Sequence, residues 1–187
     1  PDDPDAGAYW ILQLAGAYPG DPGVLAPLFL NIFALRPGEA TYLAAGVLHA
    51  YLRGTGAELM ANSDNVLRGG LTEKHVDVPE LLRTVRFEGI CPSVIEGTQL
   101  DDPSESYFEA STQDFLLSRI ELGEGDTYVN STQSIEIVLV MDGAATMDSD
   151  RRHLSLRKGQ RAIVFGETRY RITAVSEGTA LYRVSVP

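Results

Sequence analysis

Six side chains with chemical potential crowd the stretch HAYLRGTGAELMANSDNVLRGGLTEKHVDV, from His49 to Val78: His49, Tyr51, Glu58, Asp64, Arg68 and Lys74. An imidazole can coordinate a metal, a guanidinium can hold developing negative charge, a carboxylate can move a proton, and an ammonium can meet a phosphate. Buried polar groups cost free energy unless each finds a partner, so this is a poor way to build a core. The run reads better as the wall of a polar cavity that grips a ligand. A lone histidine is otherwise usually a surface residue, and His75 and His153 are expected to be so.

The elements that must hold these residues are mostly β. A helix is expected over about 6–17, followed by the turn YPGDPG, in which Asp21 caps a short helical turn with Pro22 at its first position. LFLNIFAL (28–35) reads as a strand covered on both faces, and TYLAA, VLHAYL and AELMAN as short strands between glycine turns. VPELLRTVRF is a helix with Leu81, Leu82 and Val85 as its apolar residues. GICPSVIEGTQ is loop-like. From about residue 100, short strands recur at roughly ten-residue spacing, the mark of a sandwich or barrel. Three segments follow: a leader and helix tail at 1–22, a first β unit at 23–98 and a second at 99–187.

A faint repeat links the two β units. Leu35-Arg36-Pro37-Gly38 is followed by His49 eleven residues after the glycine (49 − 38), and Leu156-Arg157-Lys158-Gly159 by Tyr170 at the same distance (170 − 159). Each copy is a turn–strand–turn–strand unit, and the first alone ends in histidine.

Composition narrows the function classes. The chain has 187 residues, 44% hydrophobic and 22% charged, with a net charge of −11. Such an acidic chain lacks the basic footprint of a nucleic-acid or anionic-membrane binder. No apolar run spans a bilayer and no secretory signal is visible, so a cytoplasmic location is expected. The single Cys91 excludes an internal disulfide and is expected as a small, partly buried hydrophobe. The sequence opens in a polar Pro/Asp segment without Met and reads as a fragment of a longer protein. Arg151, Arg152, Arg157, Lys158, Arg161, Arg169 and Arg171 alternate with acids and glycines, as a solvated face does.

Gly38, Ala44, Gly46 and His49 fit the second motif of the cupin superfamily, with Ala44 where proline is usual. In order and spacing, LN, PGEA, HAYL, ELMA-SDNV, RGGLT-K and DV are similar to the carboxy-terminal half of the type I mannose-6-phosphate isomerases. The resemblance implies cupin-like β-barrels of jelly-roll type. It also implies a zinc enzyme that interconverts mannose 6-phosphate and fructose 6-phosphate through a cis-enediol. His49 would be one zinc ligand, with a Gln, a His and a Glu contributed by the amino-terminal half. Arg68 would be the catalytic arginine and Glu58 the preferred base. Lys74, Tyr51 and Asp64 would face the sugar phosphate, Asp64 otherwise pairing with Arg68 or shaping its loop. The second barrel would have no metal site. No Gln-x-His-Pro motif precedes His49, so the rival reading is a catalytically silent sugar-phosphate-binding or regulatory cupin.

Overall fold

The computed structural model describes residues 6–63, 65–150 and 152–186. The chain divides into two compact units, Pro1–Arg36 with Thr41–Ser93, and Pro37–Ala40 with Val94–Pro187.

The first unit opens with α1 (Ala6–Ala17), rich in alanine and leucine, good helix formers that need no tertiary support for their backbone preference. Pro19 and Gly20, the latter at φ +83°, follow it into a turn. Asp21 then caps a 3-10 helix, Pro22–Leu28, with proline in its first turn. The second helix, α2 (Val78–Thr84), is capped by Asp77, whose Oδ1 accepts from the Glu80 amide at 3.1 Å. These three elements lie where the sequence places them.

The rest of this unit departs from expectation. The segments 28–35, TYLAA, VLHAYL and AELMAN form no strand ladder; the two-residue strand β1 (Glu39–Ala40) belongs to the second unit. No described residue of the first unit is buried. Instead of being covered on both faces, the 28–35 run leaves Phe29 81% exposed, with Leu30, Phe33 and Leu35 also open. An extended segment becomes a strand only when a neighbour offers it amides and carbonyls, and hydrophobic pattern alone cannot show whether one exists. Cys91 is exposed rather than half-buried.

The second unit is a β-sandwich. β1 pairs with β2 (Ile95–Glu96). The other strands are β3 (Thr98–Gln99), β4 (Glu105–Phe108), β5 (Leu116–Leu122), β6 (Thr127–Ser131), β7 (Glu136–Asp142), β8 (Ala144–Ser149), β9 (His153–Arg157), β10 (Arg161–Val164), β11 (Arg169–Ala174) and β12 (Thr179–Ser185). They form an antiparallel six-stranded sheet, β10-β7-β12-β5-β4-β3, and a four-stranded one, β6-β11-β8-β9. Alternation along the strands sends Ile120, Val138, Val140 and Leu181 from one sheet to meet Met147 and Ile172 from the other. Burying each large aliphatic side chain contributes about 1.5–3 kcal/mol. The β7–β8 turn needs Gly143, at φ +72°, because a Cβ there would lie 2.6 Å from Thr179 Oγ1 and 2.9 Å from Thr179 Cα. The basic residues expected on a solvated face, Arg152, Arg157, Lys158, Arg161, Arg169 and Arg171, are exposed; Arg151 lies outside the described residues.

One end of this core is polar. Arg183 on β12 reaches Glu105 Oε1 through Nε at 2.9 Å and Nη2 at 2.6 Å, and Glu136 Oε1 through Nη1 at 2.7 Å. Tyr128 donates to Glu105 Oε2 at 2.8 Å and Tyr170 to Glu136 Oε2 at 2.7 Å. The Asn130 amide also donates to Glu136, and Ser118 accepts from Arg183 at 3.3 Å. The ionic side chains are at most 10% exposed. Among the described residues no buried side-chain nitrogen or oxygen lacks a partner.

Both phenols are driven upward from the usual tyrosine range. For Tyr128 burial dominates; the Arg183 charge opposes it, while the Glu105 charge and hydrogen bond add to it. For Tyr170 burial again leads, opposed by the hydrogen bond from Asn130 and helped by Glu136. A phenol whose folded pKa exceeds its unfolded value, about 10, stabilises the fold relative to the ionised form below that value, and loses the contribution as pH rises towards the folded pKa. Above about pH 10 the unit should therefore weaken. Phenolate absorbance in an alkaline titration is expected to show Tyr128 and Tyr170 ionising only as circular dichroism reports unfolding. Ionisation of every tyrosine before any loss of dichroism would contradict this.

Candidate functional site

His49, Tyr51, Glu58, Arg68 and Lys74 lie in irregular backbone of the first unit. His49 is exposed, with Nδ1 3.0 Å from the Val47 carbonyl. A carbonyl only accepts, so the contact suits the tautomer with its proton on Nδ1, in which Nε2 is the donor atom towards a metal. The Tyr51 ring stands edge-on to His49, with centroids 6.1 Å apart and planes at 66°. Tyr51 donates from its hydroxyl to Glu58 Oε1 at 2.7 Å, across the RGTG segment in which Gly54 takes φ +121°. Partial burial, then the hydrogen bond and charge of Glu58, push the Tyr51 phenol up to about 12. The residue is 73% exposed, so solvent screens much of this, yet the direction keeps the phenol a donor at neutral pH.

His49, Tyr51 and Glu58 thus form one connected trio. Arg68 and Lys74 are exposed in a separate loop, and among the described residues no hydrogen bond or ion pair joins either to the trio. The Lys74 amide donates to Thr72 Oγ1 at 3.1 Å, a local turn. Ser63 and Asn65 hydrogen-bond each other, while Asp64, between them, lies outside the described residues.

The loop carrying Arg68 has an anchor that the sequence reading missed. Asp21, expected only as a helix cap, accepts the Gly23 amide on Oδ1 and the Leu71 amide on Oδ2, both at 2.7 Å. One carboxylate therefore ties the YPGDPG turn to the RGGLT loop, 50 residues further on. Gly70 sits at φ +119° and Leu71 at φ +54°. A Cβ at Gly70 would lie 3.0 Å from Asp21 Oδ1, so the glycine lets backbone and carboxylate close together. The local signal, an Asp before Pro-Gly, announces the cap and says nothing of the distant amide.

The donor set limits what this chain can hold. Among the described residues no three His, Cys, Asp or Glu side chains gather around a point where a metal ion could sit. His49 offers one nitrogen donor, whereas a structural or catalytic zinc takes three or four protein ligands.

No protein-family model matches the chain. Mannose-6-phosphate isomerase of Escherichia coli K12 is 39% identical over 170 residues, 87% of this chain and 42% of the relative. The enzyme of the same name from Bos taurus is 36% identical over 163 residues, 83% of this chain and 38% of the relative. The chain is homologous to mannose-6-phosphate isomerases. It spans about two-fifths of the length of these relatives. Among solved structures, mannose 6-phosphate isomerase of Salmonella typhimurium bound to fructose 6-phosphate and zinc matches with a TM-score of 0.75 at 32% identity, over 94% of this chain and 44% of that one. Its apo form matches with a TM-score of 0.78 at 34% identity and the same coverage. The mainly β fold expected from sequence agrees with these matches. No helix among the described residues is long and apolar enough to cross a membrane.

Proposed function

We propose that this chain is the carboxy-terminal part of a zinc-dependent aldose–ketose isomerase that interconverts mannose 6-phosphate and fructose 6-phosphate. The observation that carries the reading is the homology over nearly nine-tenths of the chain, together with a relative bound to fructose 6-phosphate and zinc. The partner is the amino-terminal half of the same enzyme, whose strands would complete the first barrel and whose Gln, His and Glu would complete the metal site.

Zinc, when bound, supplies Lewis acidity towards the sugar oxygens. His49 would hold it through Nε2, with the Val47 carbonyl fixing the ring. Isomerisation moves a proton between C2 and C1; removing it leaves negative charge on oxygen, as an enediolate, which protonation on oxygen turns into the cis-enediol. The Arg68 guanidinium stabilises that charge, on a loop held by Asp21. Glu58 moves the proton, with Tyr51 donating to its carboxylate and shaping the wall beside His49. Lys74 meets the phosphate as a point charge, and Asp64 is a further candidate contact to the sugar phosphate.

The single histidine donor favours one rival, a sugar-phosphate-binding module without turnover. A hybrid separates the two: the Escherichia coli isomerase with its matching portion replaced by this chain, run with zinc in a coupled assay. Turnover of mannose 6-phosphate by the hybrid, absent from this chain alone, is the expected result. A folded hybrid that binds hexose 6-phosphate without converting it would support the module instead.

A further inference from the structure

The buried polar cluster of the second unit has no part in the proposed reaction, and its position is informative. In the internal sequence repeat, Tyr170 stands where His49 stands in the first copy, eleven residues after a turn glycine, although the first copy forms no strand beyond the two-residue β1. Both glycines take a left-handed conformation, Gly38 at φ +90° and Gly159 at φ +79°. Tyr170 points into the sandwich, where it is 2% exposed and bonded to Glu136. The sequence position that carries His49 in the first copy of the repeat carries, in the second copy, a tyrosine bonded into a cluster of two carboxylates and two phenols around a guanidinium.

We propose that the interior of the second unit is a cation site that carries its own cation, the Arg183 guanidinium, gripped by Glu105 and Glu136 inside the sandwich. The geometry is that of ligand recognition. The planar fork presents Nε and Nη2 to one carboxylate and Nη1 to the other. Tyr128 and Tyr170 donate to the outer oxygen of each carboxylate, so four strands from both sheets converge on one small planar ion. Two carboxylates face one guanidinium. Without that guanidinium the hollow would hold two buried carboxylates, which must take up protons or a replacement cation. The ligand class is a monovalent planar cation, guanidinium or an alkylguanidinium. The comparison with His49 rests on the function proposed above; the test below reads the second unit by itself.

Arg183→Ala in the full chain is expected to lower the Tm and to open a vacancy shaped for guanidinium. Ethylguanidinium, well below denaturing concentration, should then raise the variant's Tm saturably and recover at least half of the loss. Sodium chloride at equal concentration should not, and the parent protein should show no gain. Adding Glu105→Gln and Glu136→Gln to the alanine variant should abolish the response. If the alanine variant does not fold in buffer, refolding in ethylguanidinium, and not in sodium chloride, is the supporting result. The proposal is overturned if the cation neither stabilises nor refolds the variant, if sodium acts equally, or if the glutamine pair leaves the response intact.

Discussion

Arg68→Ala in the hybrid isomerase lowers kcat by about 10²–10³, a loss of roughly 3–4 kcal/mol of transition-state stabilisation. The size follows from what the side chain would do. A fixed donor aimed at an enediolate oxygen acts where charge develops, and water that replaces it must reorganise during the step. The fold should not notice. Arg68 is exposed, and among the described residues no ion pair holds it, so truncation should fall within about 0.5 kcal/mol of the parent's stability. Arg68→Lys should restore only part of the rate, since an ammonium keeps the charge and loses the planar fork. Steady-state kinetics beside a thermal melt checks both halves. Parental turnover in the alanine variant would remove Arg68 from the mechanism.

His49→Ala in the same hybrid should reduce bound zinc from one ion per molecule to nearly none after gel filtration. Losing a group that merely orients a ligand weakens metal affinity about 10–100-fold, and losing the ligand itself is expected to do more. The Val47 carbonyl, 3.0 Å from Nδ1, suits the tautomer in which Nε2 is the donor atom towards a metal. Metal analysis reads this outcome without reference to activity. Dichroism should stay unchanged because His49 is exposed and supports no core. Equal zinc in variant and parent would exclude the histidine from the donor set.

Local signals in the sequence were reliable and distant ones were silent. The helix at 6–17, the Asp21 cap and the helix begun by Val78 and Pro79 each rest on residues within one turn of each other, and all three stand where expected. The strands of the second unit follow from period-two alternation. The strands expected at 28–35 and around His49 fail for a non-local reason: pairing depends on a neighbour, and none of the described residues provides one. The site shows the same division. Spacing drew attention to His49, Tyr51 and Glu58, which do meet, but the link from Asp21 to Leu71 spans 50 residues and leaves no trace in either segment. Arg183 was legible in principle. In ALYRVS it shares the inward face with Leu181, a conspicuous place for a charge. Its partners, 78 and 47 residues away, were not.

The unburied state of the first unit has a practical corollary. Phe29, Phe87 and Leu12 are each more than 70% exposed, on a segment whose every described residue touches solvent. Produced as a lone polypeptide, such a molecule is half finished globule and half detergent. Its amino-terminal end would cling to chaperones, column resins and its own copies, while the other end stayed well behaved. Solubility in a purification would then track which end is shielded, long before any reaction is measured.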